Sequence, residues 1–250
     1  MSLKHLKSQA TEETKTDVLP GSGFTAETGL YPMIIDVAYM DISPTTGAEA
    51  MKLHLKMADG SPQEVRTAFW MVSGDEKGNQ TFYTTAKGQQ RDLPGFIQAT
   101  QVAKIACEKP LMDLVEEEKM IKLWNTASLS EENTKIRSLK DLRNKPILVG
   151  VLKVRDNKRD WNVKEGKDFK RLPEERFYNE VDKMFYPNGL SITEANAGVT
   201  TPTFNQRWQD RYPAGVDIDR YVQVAGSQPD LPVNTPPATP VASLFTSEDS

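Results

Sequence analysis

The chain has 250 residues, of which 38% are apolar, and a formal net charge of −4 with one cysteine and two histidines. A single cysteine excludes an internal disulfide, and the histidines are too few for a metal site, so we expect neither a metal nor a cofactor. The sequence has no run of about 18 apolar residues and no apolar secretory signal at its N-terminus, which predicts a soluble, intracellular protein.

Composition divides the chain into four parts. Residues 1–23 are polar and end in a Pro-Gly-Ser-Gly joint, which predicts a flexible N-terminal arm. We expect one domain over 24–190, followed by an aromatic and basic extension over 191–222 that either packs on the domain or extends a binding path. Residues 223–250 contain five prolines, three acids and no Lys or Arg, which predicts a disordered acidic tail.

The first half of the domain shows three strand patterns and two helix patterns. Residues 30–42 are rich in β-branched and aromatic side chains, while 50–57 and 65–72 alternate apolar with polar, so three antiparallel strands are expected. The polar segment 74–91 predicts a small extra hairpin. Helical spacing of apolar residues predicts helices over 96–107 and 111–121, the second with an acidic run on its solvent face. A capping-box pattern at 138–141 predicts one short helical turn.

Two further strands complete the predicted domain. Residues 147–152 are apolar on both faces, and 177–186 fit a helix period as well as a strand period. We assign a strand to 177–186 because the polar loop between the two segments is most simply the loop of a hairpin. The chain is therefore predicted to be mainly β with α: a five-stranded Greek-key barrel of the oligonucleotide/oligosaccharide-binding (OB) kind, with a helical insert between strands three and four and disordered terminal arms.

Cations and aromatic rings are interleaved where such a barrel binds its ligand. Nine Lys or Arg and six Asp or Glu lie between Leu152 and Arg176. Cations follow backbone phosphates, and flat rings stack on unpaired bases. In the alternative interpretation, the segment from Leu152 to Arg176 is a solvated hairpin with a few exposed rings. Trp70 is then covered by the helix or the termini. His54 is expected to have no catalytic role. The candidate nucleic-acid-binding residues are Lys52, His54, Lys56, Arg66, Trp70, Phe82, Tyr83, Lys87, Arg91, Lys153, Arg155, Lys158, Arg159, Trp161, Lys164, Lys167, Phe169, Lys170 and Arg171.

Four short segments of the sequence resemble phage-encoded single-stranded DNA-binding proteins of the OB-fold type. They are 93–96 (LPGF), 122–124 (KLW), 149–159 (VGVLKVRDNKR) and 179–185 (NEVDKMF). The resemblance covers roughly residues 29–190. It implies cooperative coating and protection of single-stranded DNA during phage DNA replication, recombination or repair in the cytoplasm of the infected bacterium, with the basic hairpin after strand four and the outer face of the barrel as the binding path. The residues themselves predict a non-enzymatic protein with little sequence specificity, because any base presents a flat face to a ring.

The C-terminal end suggests a second function. Proteins of this kind often end in an acidic tip with an apolar residue that recruits replication or transcription enzymes. The corresponding residues here are Leu244, Phe245, Glu248 and Asp249, although only two acids are adjacent and the ring precedes them. The alternative function is therefore a transcription co-activator that acts through this tail on RNA polymerase or replication enzymes.

An enzyme acting on nucleic acid is the third class considered. The sequence contains no phosphate-cradling P-loop and no serine or cysteine triad candidate. Asp36, Asp41 and Glu116 are carboxylates that folding could bring together into a two-metal nuclease site, which the spacing of residues in the sequence does not exclude.

Overall fold

The computed structural model describes residues 25–224 except 126, 127, 129 and 167. The predicted N-terminal arm, Lys167 and the tail with Leu244, Phe245, Glu248 and Asp249 lie outside the described residues. Within the described part, no helix is long and apolar enough to cross a membrane.

The core is built on an antiparallel meander of three strands, as predicted. These are β1 (Gly29–Ile42), β2 (Glu49–Met57) and β3 (Glu64–Val72). Because successive side chains point to opposite faces of a strand, the alternating apolar residues collect on one face. Leu53 and Leu55 of β2 and Val65 and Phe69 of β3 are buried there.

The next two predicted elements are also present. A short hairpin joins β4 (Phe82–Thr84) to β5 (Gln90–Asp92), and helix α1 (Pro94–Cys107) follows it. The helix buries its apolar stripe, including Val102 and Ile105, against the meander. The Cys107 thiol is half-buried and donates a hydrogen bond to the carbonyl oxygen of Asp141 at 3.0 Å.

The predicted helix over 111–121 is wrong. A three-residue 3-10 helix at Leu111–Asp113 leads into strand β6 (Glu116–Asn125), which forms a hairpin with β7 (Ser130–Leu139). The acidic run lies in the strand and has cross-strand partners, with Glu118 2.7 Å from Lys135 and Glu116 3.6 Å from Arg137. A short 3-10 turn does follow at Lys140–Leu142, but no side chain caps it.

The strands at the end of the domain are longer than the sequence pattern indicated. Strand β8 (Pro146–Glu165) pairs with β9 (Asp168–Phe185), so the strand assignment for 177–185 is confirmed. The polar segment predicted as a loop is instead almost entirely strand, with two shifts of register in its pairing, and the chain reverses around Gly166, which has a positive φ of 66°. We call the part of this hairpin from Asp156 to Arg176 the distal hairpin.

The prediction of a mainly β protein is confirmed, whereas a closed barrel is not observed. Hydrogen-bonded neighbours run in the order β3, β2, β1, β8, β9, with β7 pairing further along β1. Closing this sheet would require its edge strands β3 and β9 to pair, and no such pairing occurs in the described residues. The insert between β3 and β8 also contains two hairpins besides the predicted helix.

The extension packs on the sheet rather than leaving it. It forms helix α2 (Ile192–Asn196), helix α3 (Phe204–Arg211) and strand β10 (Ile218–Asp219), which pairs in parallel with β8. Trp208 of α3 is 4% exposed and lies in an apolar cluster with Leu152, Val154 and Phe185.

A buried carboxylate joins the two helices of the extension. Glu194 of α2 accepts five hydrogen bonds: from the N–H and hydroxyl groups of both Ser191 and Thr203, and from the N–H of Phe204. The N–H donors of Ser191 and Thr203 are the main reason that the pKa of Glu194 lies far below its ordinary value of 4.5.

Replacing Glu194 is therefore expected to give a pH-dependent loss of stability. A depressed folded-state pKa stabilises the fold above the unfolded value of 4.5, and this contribution is lost as the pH falls below it. At pH 7, Glu194→Gln should lower the midpoint of thermal unfolding, and the difference from the unchanged protein should shrink below pH 4.5. Calorimetry at several pH values measures this. The exposed Glu174→Gln is the control, and an equal midpoint for Glu194→Gln at pH 7 would contradict the assignment.

Candidate nucleic-acid interface

The predicted cations of the meander share one outer face. Lys52, His54 and Lys56 alternate with the buried residues of β2, and Arg66 lies directly opposite His54 on β3. The structure therefore places these four side chains on one face of the sheet, and their role in binding stays a prediction.

Most of the charge on this outer face is compensated by neighbouring acids. Lys52 lies 2.6 Å from Asp41, Lys56 lies 2.9 Å from Asp36, and Arg66 lies 3.2 Å from Glu64. Burial, and then the positive charge of Arg66, lower the pKa of His54, so this imidazole is neutral at pH 7. The face therefore offers less free positive charge than its sequence suggests.

Three predicted rings meet at the edge of the same sheet. Trp70, Phe82 and Tyr83 line a groove of about 680 Å³ that also contains Thr45 and Thr46 of the turn between β1 and β2. Trp70 is 47% exposed, so the described residues do not cover it. We call this the Trp70 groove.

The charged residues around the Trp70 groove have mixed signs. Asp75, Glu76 and Lys77 line it, which leaves one negative charge in excess. Arg91 lies opposite Tyr83 in the small hairpin, and Lys87 is exposed in its turn. A groove with this balance attracts phosphate weakly.

Two predicted cations at the base of the distal hairpin are held by carboxylates. Lys153 lies 2.8 Å from Glu27 and 3.5 Å from Asp217. Arg155 lies 3.1 Å from Asp219, pairs with Glu175, and stacks 4.9 Å from the ring centre of Tyr221. These contacts attach the N-terminal segment and the extension to β8.

The distal hairpin itself carries a cleft of about 360 Å³ in which arginines and rings meet. Trp161 is 62% exposed and packs edge-on against Phe169, with 4.8 Å between ring centres. Arg176 lies over the ring of Tyr178 at 4.8 Å. We call this the arginine cleft; its lining residues are Asp156, Arg159, Trp161, Asp168, Phe169, Arg171, Arg176, Tyr178 and Arg220.

Asp156 organises the inner end of the arginine cleft. Its carboxylate accepts a hydrogen bond from the N–H of Asn157 at 2.8 Å and lies 3.4 Å from Arg159 and 3.8 Å from Arg176. Burial alone would raise the pKa of Asp156, but the hydrogen bond from Asn157 and the guanidinium of Arg159 together lower it. The side chain is therefore an anion that holds two arginines in place.

Three predicted lysines lie on the distal hairpin but do not line the cleft. Lys158 is exposed and has no ion pair within the described residues. Lys164 lies 5.8 Å from the ring centre of Phe169, and Lys170 lies opposite Asp160 in the ladder. None of these three lysines forms an ion pair within the described residues, and the same is true of Lys87, Arg91 and Arg171.

The two regions do not form the single trough that the sequence suggested. The Trp70 groove and the arginine cleft share no lining residue. Strand β8 pairs with β1 from Ile34 to Gly29 and then runs past that end, whereas Thr45 and Thr46 follow the Ile42 end. The two sites therefore lie toward opposite ends of β1.

Five residues of the cleft were not among the predicted set: the acids Asp156 and Asp168, and also Arg176, Tyr178 and Arg220. Arg176 and Tyr178 alternate on one face of β9, a period of two that could have been read once the strand was recognised. Arg220 belongs to the extension and donates hydrogen bonds to two residues of β9, to the carboxylate of Glu180 at 2.7 Å and to the hydroxyl of Tyr178 at 3.4 Å. No local pattern in the sequence indicates that contact.

The three carboxylates considered for a two-metal site do not form one cluster. Asp36, Asp41 and Glu116 each lie in a different ion pair, with Lys56, Lys52 and Arg137. Among the described residues, no three His, Cys, Asp or Glu side chains are placed to hold a metal ion.

Comparison with known proteins gives no assignment. No protein-family model, no curated protein and no solved structure matches the chain. The functional argument therefore depends on the residues and contacts described above.

Proposed function

We propose that the protein binds single-stranded DNA without cleaving it, on a fold of the OB kind, and that the arginine cleft is its principal contact. The observation that carries this proposal is the meeting of four arginines with the rings of Trp161, Phe169 and Tyr178 in one cleft of the distal hairpin. The resemblance to phage single-stranded DNA-binding proteins adds the proposed setting, which is protection of DNA during phage replication, recombination or repair.

The chemistry of the cleft favours an unpaired strand over a duplex. In a duplex the flat faces of the bases are stacked on one another, whereas in a single strand they are free to stack on protein rings. The exposed ring of Trp161 offers such a face. Because every base has a flat face, binding of this kind discriminates little between sequences.

Trp161→Ala is expected to weaken binding to oligo-dT by about 1–3 kcal/mol, the usual contribution of one stacked base. The salt dependence of the affinity should stay the same because no charge is removed. Lys158→Ala should instead reduce the slope of log affinity against log salt by about 0.7, the value for one phosphate contact on a single strand. Fluorescence anisotropy titrations at several salt concentrations measure both effects.

The control for this pair is Trp124→Ala. Trp124 is an exposed tryptophan, 55% accessible, on the hairpin of β6 and β7. It should leave the affinity unchanged. Duplex DNA that binds as tightly as oligo-dT, or a Trp161→Ala protein with undiminished affinity, would count against the proposal.

A further inference from the structure

The arginine cleft contains buried donors without acceptors. The Nε atoms of Arg159 and Arg176 are buried and have no hydrogen-bond partner in the described residues. Both guanidinium groups approach Asp156, but through their terminal nitrogens. An unpaired buried donor costs about 1–3 kcal/mol, so these two Nε–H groups are donors that a bound acceptor would stabilise.

The charge of the cleft favours an anion as this acceptor. Four arginines and two aspartates line it, a net charge of +2. Glu180, which does not line the cleft, compensates Arg220 from outside and leaves at least one positive charge in excess. Arg171 contributes most directly, since it is the one arginine of the four without a direct ion pair in the described part of the chain, although its charge also acts on Asp156.

The fork of an arginine side chain matches phosphate oxygens, and a terminal phosphate presents more of them than an internal one. A phosphomonoester has three unesterified oxygens and a charge of about −1.5 to −2 at pH 7, whereas an internal phosphodiester has two such oxygens and a single charge. The volume of about 360 Å³ lies at the lower end of the range for small-molecule pockets, which suits one nucleotide rather than several.

We propose that the arginine cleft binds the phosphomonoester at the end of a single strand, with the terminal base stacked on Trp161. This inference depends on the proposed function and makes it more specific: the protein would prefer phosphorylated strand ends to the interior of a strand. The same phosphomonoester chemistry occurs in a free mononucleotide, so the experiment has to separate the two sources.

The test compares one short oligo-dT in three forms: with a 5′-phosphate, with a 3′-phosphate, and with hydroxyl groups at both ends. We expect one phosphorylated form to bind about tenfold more tightly than the form with two hydroxyl ends, the gain from one additional charge-assisted hydrogen bond. Free dTMP, used as a competitor, should displace the phosphorylated oligonucleotide only at much higher concentration, because it lacks the rest of the strand.

Two conservative variants test the geometry of the cleft. Arg171→Lys and Arg159→Lys keep the charge but remove the two-pronged donor, so each should lower the affinity for the phosphorylated form much more than the affinity for the form with hydroxyl ends, and most of the preference should be lost. Arg143→Lys, an exposed arginine outside the cleft, is the control and should keep the preference.

The outcomes separate the two proposals. Equal affinity for all three oligonucleotide forms would overturn the inference but leave single-stranded DNA binding intact. If dTMP competes as well as the phosphorylated strand, the cleft is a mononucleotide site and the inference about strand ends is wrong. If none of the oligonucleotides binds, the proposed function fails as well.

Discussion

Trp208→Ala is expected to lower the free energy of unfolding by about 3–5 kcal/mol, the usual cost of deleting a large buried ring. The indole is the centre of the contact between the extension and β8 and β9, and its Nε1 donates a hydrogen bond to Asp182 at 2.7 Å. The fit is close: a Cβ at Gly150 would lie 2.8 Å from the ring, so this strand position requires glycine. Removing the ring leaves a cavity and a carboxylate without its donor.

Denaturant unfolding followed by far-ultraviolet circular dichroism would measure this loss. Trp208→Phe should lower the free energy of unfolding by less than Trp208→Ala, because it keeps most of the packing and loses mainly the N–H donor to Asp182. Trp124→Ala, with its exposed ring, should change stability by no more than about 0.5 kcal/mol. If Trp208→Ala were as mild as Trp124→Ala, the extension would contribute little to the stability of the domain.

The elements that could be predicted are those in which a local pattern reflects burial. In strands β2 and β3, apolar and polar residues alternate because one face of the sheet packs against the core. In α1, apolar residues recur at helical spacing because one side of the helix is buried. The hairpin of β6 and β7 gives no such signal. Its outer residues, such as Glu118 and Lys135, are stabilised by each other across the ladder, and a single segment does not reveal its partner strand.

The candidate site was predicted in composition but not in arrangement. Cations and rings do cluster between residues 152 and 176, as the sequence indicated. However, whether a cation is free depends on acids far away in the chain: Glu27 is 126 positions from Lys153, and Asp219 is 64 positions from Arg155. Such contacts exist only once the sheet and the extension have formed.

This distribution of acids moves the expected DNA contacts toward the end of the distal hairpin. At its base, exchanging a carboxylate for a phosphate would gain little, because one ion pair replaces another. Beyond this base, Lys158 and Arg171 form no direct ion pair within the described residues, although the charge of Arg171 also acts on Asp156. Contacts there add charge neutralisation that is not already present in the free protein.

Asn157 connects this hairpin to the extension, and its loss is expected to affect both stability and binding. The side chain is fully buried at 0% exposure. Its Nδ2 donates to the carbonyl oxygens of Leu172 and Val222, both at 2.9 Å, and its Oδ1 accepts from the N–H of Val222 at 2.9 Å. The ladder between β8 and β9 shifts register just after this residue, so the amide replaces backbone pairing that the strands do not make.

Asn157→Ala should therefore lower the free energy of unfolding by about 3 kcal/mol, since three hydrogen bonds to backbone groups, each contributing about 1 kcal/mol, are lost. It should also weaken binding of oligo-dT, because the segment that Asn157 holds at Val222 brings Arg220 into the arginine cleft. Denaturant unfolding and anisotropy titration of the same variant measure the two effects, with the exposed Asn162→Ala as the control. Hydrogen exchange at the Arg220 amide, which donates to the Arg155 carbonyl oxygen at 2.8 Å, would show whether the segment has been released. Faster exchange there with unchanged DNA affinity would mean that Arg220 is not part of the binding surface.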